Sequence, residues 1–230
     1  MSPILEAAVV RPELTADFDY EAAPARSAPQ GFEAKRLLDI LGAIAALILC
    51  APVMALIFLG LCIAGNAIFA QQRVGRGGKL FRCYKFRTMI NGAEQVLANY
   101  LEHNVAARDE WRQTFKLADD PRITPIGRFL RKSSLDELPQ LFNILRGDMS
   151  LVGPRPIVPA EVPRYRSRIR AYYTVRPGLT GLWQVSGRNL VSYRRRVAID
   201  AAYARRASMT LDLFILIKTI GVVVVGRGAL

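Results

Sequence analysis

The sequence predicts an α+β fold, mostly helical, with a re-entrant membrane helix hairpin and a small cytoplasmic domain that carries amphipathic interfacial helices. Three observations lead there. Residues 40–64 form an uncharged run of 25 residues with Pro52 near its middle. Two alternating segments joined by glycines lie within residues 67–86, and helical apolar spacing follows from residue 92. About half of the 230 residues are apolar, enough for both a core and an exposed apolar segment.

Residues 1–32 read as a flexible acidic tail. The first 30 carry five acids against Arg11 and Arg26, with four prolines and no apolar period. An acidic start also excludes a signal peptide, which needs a basic leading region.

Residues 33–70 read as the membrane-inserted part. As one straight helix the uncharged run would measure roughly 37 Å, against a hydrocarbon core of about 30 Å. Pro52 removes a helical hydrogen bond at its centre. Lys35 and Arg36 precede the run, and Arg73, Arg76, Lys79 and Arg82 follow it with no acid between. The positive-inside rule then puts both ends on the cytoplasmic side. That favours a hairpin hinged at Pro52, with a kinked signal-anchor span and a buried core helix as the alternatives.

Residues 71–230 read as the cytoplasmic domain. Residues 67–74 and 79–86 predict two strands joined by Gly75-Arg76-Gly77-Gly78. This cluster is no P-loop: Arg73 stands where the earlier glycine belongs, and Leu80 replaces the Ser/Thr. Residues 92–117 predict one amphipathic helix, with His103 a solvated or packing side chain. A further helix is expected from Asp136 as N-cap to Arg146-Gly147, placing Pro139 at the third helical position. Leu151-Val152-Gly153-Pro154-Arg155-Pro156 must be extended around Arg155. Arg176-Pro177-Gly178-Leu179-Thr180-Gly181 reads as a turn-rich loop leading to Trp183. Arg164, Arg166, Arg168, Arg170, Arg194, Arg195 and Arg196 read as basic surfaces facing solvent or headgroups. Residues 211–225 are apolar but contain Asp212 and Lys218, which predicts an interfacial or buried helix.

Charge narrows the chemistry. Thirty-two Lys and Arg face 19 acids, for a net +13 and a pI near 10.2. The first 30 residues net −3, so the remainder carries +16. Such a surface selects anionic partners: phosphorylated substrates, acidic membranes or nucleic acid. No nucleic-acid reading motif is present, and the apolar run gives the charge a better explanation, so nucleic acid is not expected. Three cysteines and one histidine cannot supply a disulfide framework, a zinc motif or a two-histidine metal site. Carboxylates, cations and a hard metal are left.

Asp136 and Glu137 are the carboxylates that stand out. As neighbours on a helix they would point about 100° apart, a poor arrangement for an acid/base pair flanking a bond. It suits a division of labour, one carboxylate attacking and the other orienting a divalent metal. The bland alternative is ordinary helix capping.

Several long strings then carry a resemblance: Arg73-Val-Gly, Tyr84-Lys85-Phe86-Arg87-Thr88-Met89, Asp120-Pro121-Arg122-Ile123-Thr124 and Ser134-Leu135-Asp136-Glu137-Leu138-Pro139-Gln140. Met149 through Pro156 and Arg176 through Arg188 extend it, as do Asp200, Tyr203, Asp212 and Lys218-Thr219. From about residue 33 to the C-terminus the chain resembles the bacterial sugar transferase family, the monotopic polyprenyl-phosphate phosphoglycosyl transferases. It is similar to their short, exopolysaccharide-initiating type.

The resemblance implies a transferase at the cytoplasmic face of the bacterial inner membrane. It would move sugar-1-phosphate from a UDP-sugar to undecaprenyl phosphate and release UMP, with galactose expected and glucose the alternative. Asp136 would be the nucleophile carrying a covalent phosphosugar, and Glu137 would belong with it to a Mg2+ site. Lys85, Arg87, Arg131 and Arg155 would contact phosphate, and Arg176 and Gln184 would line the nucleotide side. The family's membrane helix breaks at a Ser-Pro pair, which here reads Ala51-Pro52. Anionic lipids and downstream glycosyltransferases are the further partners implied, with a homodimer left open. A non-catalytic scaffold of the polysaccharide machinery is the competing function.

Overall fold

The computed structural model describes residues 32–63, 65–114, 117–187 and 191–225. The expected acidic tail lies outside them except for Phe32. Helices dominate, with two small two-stranded sheets, as expected of a mostly helical α+β chain. The fold resolves into two compact units: residues 88–131 form one, and the remaining described residues the other.

The larger unit opens with helix α1 (Phe32–Ile63), whose helical backbone runs through Pro52 without interruption. The expected hinge is therefore not a gap in the helix. A proline deletes only its own N–H bond and crowds one carbonyl, and the intact turns on either side carry the helix across. The first turns of α1 are tied down by charge. Lys35 Nζ donates to Asp212 Oδ2 at 2.6 Å and to Val152 O at 3.1 Å. The Arg36 guanidinium donates to Ile144 O and Leu145 O, and Asp39 accepts from Ser150 Oγ and the Leu151 N–H. Past Leu47 most of the helix is exposed, with Ile48, Leu49, Leu56, Leu59 and Ile63 each 60–91% exposed. It is the one helix among the described residues long and apolar enough to cross a membrane.

Strands β1 (Ile68–Val74) and β2 (Leu80–Phe86) form the expected antiparallel hairpin, in register from Ile68↔Phe86 to Val74↔Leu80. Its turn needs glycine, because Gly77 and Gly78 take φ of 67° and 79°. A 3-10 turn, Leu135–Glu137, leads into α5 (Gln140–Arg146), which ends on Gly147 as expected. Asp136 is not the helix N-cap; Pro139 is. Pro139 has no N–H to give to Leu135 O, so the chain advances by three-residue bonds, Glu137 N to Ser134 O and Leu138 N to Leu135 O.

Strand β3 (Ser150–Val152) pairs in parallel with β4 (Gly178–Thr180), so the anticipated loop at 176–181 holds a short strand. The approach is close enough that a Cβ on Gly178 would collide with the Gly153 backbone nitrogen. Short helices α6 (Val162–Tyr165), α7 (Ile169–Tyr173) and α8 (Leu182–Val185) follow, then α9 (Tyr193–Arg206) and α10 (Met209–Val225). One core joins Ala43 of α1 to Cys83, Leu141, Ile144 and Met149; a second joins Val74 and Ile157 to Tyr165, Tyr172 and Val197. In α10, Asp212 is buried and accepts from Tyr203 Oη at 2.6 Å, while Leu213, Phe214, Ile217 and Ile220 are exposed. This matches the amphipathic element expected there. Arg196 departs from the expected basic surface, its side chain being only 11% exposed.

The smaller unit contains α2 (Ala93–His103), α3 (Val105–Thr114) and the start of α4 (Pro125–Ser133). The single helix expected over 92–117 breaks at Asn104, which leaves helical geometry and accepts the Ala107 N–H at its side-chain oxygen. An asparagine amide competes well with backbone bonding, so a cap replaces helix continuation. His103 is exposed, with its Nδ1 2.8 Å from Asn99 O. The Asp120-Pro121-Arg122 string locks this unit: Arg122 grips Asp120 with two side-chain bonds of 2.8 and 2.6 Å and stacks over Trp111. Burial pulls the Asp120 carboxyl up, but Arg122 outweighs it and holds the carboxyl below its usual range.

Candidate active site

The site is assembled by one side chain that sequence reasoning missed. Asn143 of α5 is fully buried and acts as a substitute strand along β2: its amide donates to Arg82 O at 2.7 Å and its oxygen accepts the Tyr84 N–H at 3.0 Å. It also donates to Asp148 Oδ2. Every amide bond is satisfied, which fixes α5 and the Leu135–Glu137 turn beside β2. Ser134, just before the turn, sits at a φ of 60°. That left-handed geometry costs a non-glycine residue roughly 1–2 kcal/mol and aims the chain into the turn.

Lys85 therefore lies against both carboxylates. Its Nζ donates to Glu137 Oε1 at 2.5 Å and stands 3.6 Å from Asp136 Oδ2. Asp136 is buried, whereas the Glu137 side chain keeps 28% of its exposure. Burial raises the Glu137 pKa, but Lys85, Arg155 and Arg73 together hold this carboxyl below its usual range. It stays ionised at neutral pH.

A small cleft opens beside Lys85 and Glu137, lined by these two with Arg73, Gln140, Arg155 and Gln184 among others. Of the residues expected to act, Lys85, Glu137, Arg155 and Gln184 thus share one cleft, with Asp136 against its lysine. Gln184 donates to Leu179 O, and its buried Oε1 has no hydrogen-bond partner among the described residues. Arg73 was not anticipated, although it opens one of the strings singled out above. Burial and the nearby Arg155 push its pKa below the usual value, while Pro156 O and Gln71 Oε1 accept its hydrogen bonds.

Three expected residues take other positions. Arg176 does not line the cleft; its Nε donates to Gly147 O at 2.8 Å, on the residue that ends α5. Arg87 lies just past β2, where its backbone N–H bonds Ala67 O and closes the hairpin. Arg131 belongs to the 88–131 unit, and there its Nε donates to Thr88 Oγ1.

Two adjacent carboxylates, a lysine shared between them and two flanking arginines form an arrangement for phosphoryl chemistry: a nucleophile or metal ligand beside charges that neutralise phosphate oxygens. Comparison with known proteins points the same way. The Bacterial sugar transferase family model matches residues 30–226. The exopolysaccharide production protein ExoY of Sinorhizobium fredii is 50% identical over 204 residues, 87% of this chain and 90% of that protein. The undecaprenyl-phosphate galactose phosphotransferase of Salmonella typhimurium is 52% identical over 196 residues. The UDP-galactose-lipid carrier transferase of Erwinia amylovora is 50% identical over the same length. For these last two the match spans 85% of this chain but only 41% of the relative. The extent of these matches shows that the chain belongs to the bacterial sugar transferase family.

Proposed function

We propose that this protein transfers a sugar-1-phosphate, galactose-1-phosphate by choice, from a UDP-sugar to undecaprenyl phosphate and so starts an exopolysaccharide repeat. The observation that carries the reading is Lys85 shared between Asp136 and Glu137 in a cleft flanked by Arg73 and Arg155. The relatives named for galactose transfer and for exopolysaccharide production support the donor, the acceptor and the product class.

In this mechanism an Asp136 carboxylate oxygen attacks the β-phosphorus of the UDP-sugar. The bond from that phosphorus to the bridging oxygen breaks, and UMP departs with the electron pair. An oxygen of polyprenyl phosphate then attacks the same phosphorus. This expels the Asp136 carboxylate and leaves a polyprenyl diphosphate sugar. Lys85, Arg73 and Arg155 orient the diphosphate and neutralise charge on the transferring group, the larger part of what such a reaction needs.

The carboxylates suit Mg2+ held jointly with substrate. Asp136 and Glu137 offer hard oxygen donors, and among the described residues no cluster of three or more His, Cys, Asp or Glu side chains forms a cage, so phosphate oxygens would complete the shell. Held by Asp136 and Glu137, Mg2+ would supply charge neutralisation of the diphosphate. The exposed apolar length of α1 inserts into the cytoplasmic leaflet of the bacterial inner membrane, bending at Pro52, and the basic surface rests on anionic lipid headgroups.

The test is UMP release by the detergent-purified full chain with polyprenyl phosphate, Mg2+ and a panel of UDP-sugars. Release with UDP-galactose and its loss in Asp136→Asn support the proposal. Release with UDP-glucose alone replaces the sugar. Silence with every donor from folded protein overturns the activity and favours the scaffold.

A further inference from the structure

Behind the two arginines of the cleft lies a second layer of charge that the transfer reaction does not touch. Glu161 ends the 3-10 turn Pro159–Glu161. Its Oε2 accepts the Val158 N–H at 3.0 Å and lies 4.0 Å from Arg73 Nη1, while its Oε1 accepts from Arg196 Nη2 at 3.3 Å. Arg196 stacks 5.0 Å from the ring centroids of both Trp183 and Tyr193. Trp183 in turn carries Arg155, whose guanidinium lies 5.9 Å from the same ring centroid. One carboxylate and one indole thus connect three arginines, two of them lining the cleft.

The arrangement answers a physical problem. Arg73 and Arg155 are like charges in a largely buried site, and each gains by moving apart. Arg73 is restrained by its own partners: Pro156 O and Gln71 Oε1 accept its N–H groups, with Glu161 supplying the opposite charge. Glu161 is itself fixed by a backbone N–H and by Arg196, neither of which lines the cleft. A carboxylate held this way suits orienting a neighbour better than meeting substrate.

We propose that Glu161 is a positioning residue which, through Arg73 and through Arg196 stacked over Trp183, holds the Arg73–Arg155 pair at the spacing that grips a diphosphate. The inference rests on the donor being a nucleoside diphosphate sugar. It assigns the grip to residues whose charges lie outside the reacting atoms. Arg196, read from sequence as headgroup-facing surface, becomes part of this support.

Inorganic pyrophosphate is the probe, titrated calorimetrically into the full chain in detergent, with thermal unfolding recorded for each variant. Glu161→Gln keeps an acceptor for Val158 and removes the charge. Field alone would then tighten binding of an anion, since a negative charge has gone. Positioning predicts the opposite, a weakening of about tenfold, the size of one misplaced charge-assisted contact. In an Arg73→Met background the same change should shrink to about twofold or less, because coupled residues are non-additive. During turnover the loss should fall on the donor KM more than on kcat. If Glu161→Gln does not fold, Glu161→Asp and Arg196→Lys carry the same cycle. Unchanged or tighter pyrophosphate binding, or an equal factor in both backgrounds, overturns the proposal, as does wild-type protein that binds no pyrophosphate. Coupled weakening in a protein that releases UMP from no UDP-sugar keeps the positioning role and removes only the donor assignment.

Discussion

Lys85 and Glu137 stand 52 residues apart in the chain and form the shortest ion pair among the described residues, at 2.5 Å. The pair joins the end of a hairpin strand to a turn that a proline keeps from becoming α-helix. The same lysine reaches Asp136 at 3.6 Å, so one cation lies against both carboxylates.

Lys85→Met is therefore expected to act on pH dependence as well as on rate. Glu137 is depressed by Lys85 and the arginines, so its ionised form persists as pH falls until the lowered folded pKa is reached. Without Lys85 that pKa rises, and the acid limb of kcat/KM should move to higher pH while turnover falls by about a hundredfold. An unmoved acid limb would separate Lys85 from the dyad.

Asn143→Ala should destabilise the larger unit by about 2–4 kcal/mol, because it strands the Arg82 carbonyl and Tyr84 N–H and leaves a cavity. Chemical denaturation measures it. Asn143→Asp should do no better, since it lacks the amide donor that Arg82 O requires.

Asp200 predicts an unusual stability profile. Burial, outweighing its bond from Tyr165 and the nearby arginines, lifts its pKa from 3.8 to about 7. A carboxyl raised on folding favours the folded state most below the unfolded pKa, and that advantage declines as pH climbs towards 7. Asp200→Asn keeps an acceptor for Tyr165 and should lose this decline. Parallel unfolding curves between pH 4 and pH 7 for variant and wild type would contradict the burial argument.

Pro52→Leu restores the missing helical hydrogen bond in α1 and should favour a straight span. A cysteine placed near residue 10 should then become reactive to impermeant reagents from outside the cell. In the parent background it should stay protected. Equal protection in both would remove Pro52 as the bending point.

Local signals in the sequence carried well into the fold. Period-two alternation around four turn residues located the hairpin within a residue or so, because alternation and glycine geometry are local. The glycine stop at Gly147 and the amphipathic α10 were legible for the same reason. Failures came where side chains compete with backbone. Asn104 splits a helix that apolar spacing joins, and Pro139 turns an expected N-cap into a 3-10 turn. At the site, the Asp136-Glu137 pair and Lys85 could be found in the strings they occupy. Asn143, Glu161 and Arg196 could not, since their roles depend on contacts across 35 to 88 residues that no periodicity encodes. The bond from Arg176 to Gly147 O was not legible, because a cation beside a turn looks alike whether it binds a ligand or a helix-ending carbonyl.

Asp120→Asn tests the smaller unit by itself. Arg122 depresses the Asp120 carboxyl despite burial, so the stability it contributes is present above the unfolded pKa and lost as pH falls through the folded one. The variant should be less stable by about 3 kcal/mol at neutral pH, and that difference should narrow in acid. Hydrogen exchange confined to residues 88–131 would report it.

The central claim is that Asp136 takes the phosphosugar. Intact-protein mass spectrometry with UDP-galactose and no acceptor tests it most directly. The account predicts an added hexose phosphate that maps to Asp136, disappears when polyprenyl phosphate is supplied and is absent from Asp136→Asn. Wild-type turnover by Asp136→Asn, or an adduct mapping to another residue, would contradict it.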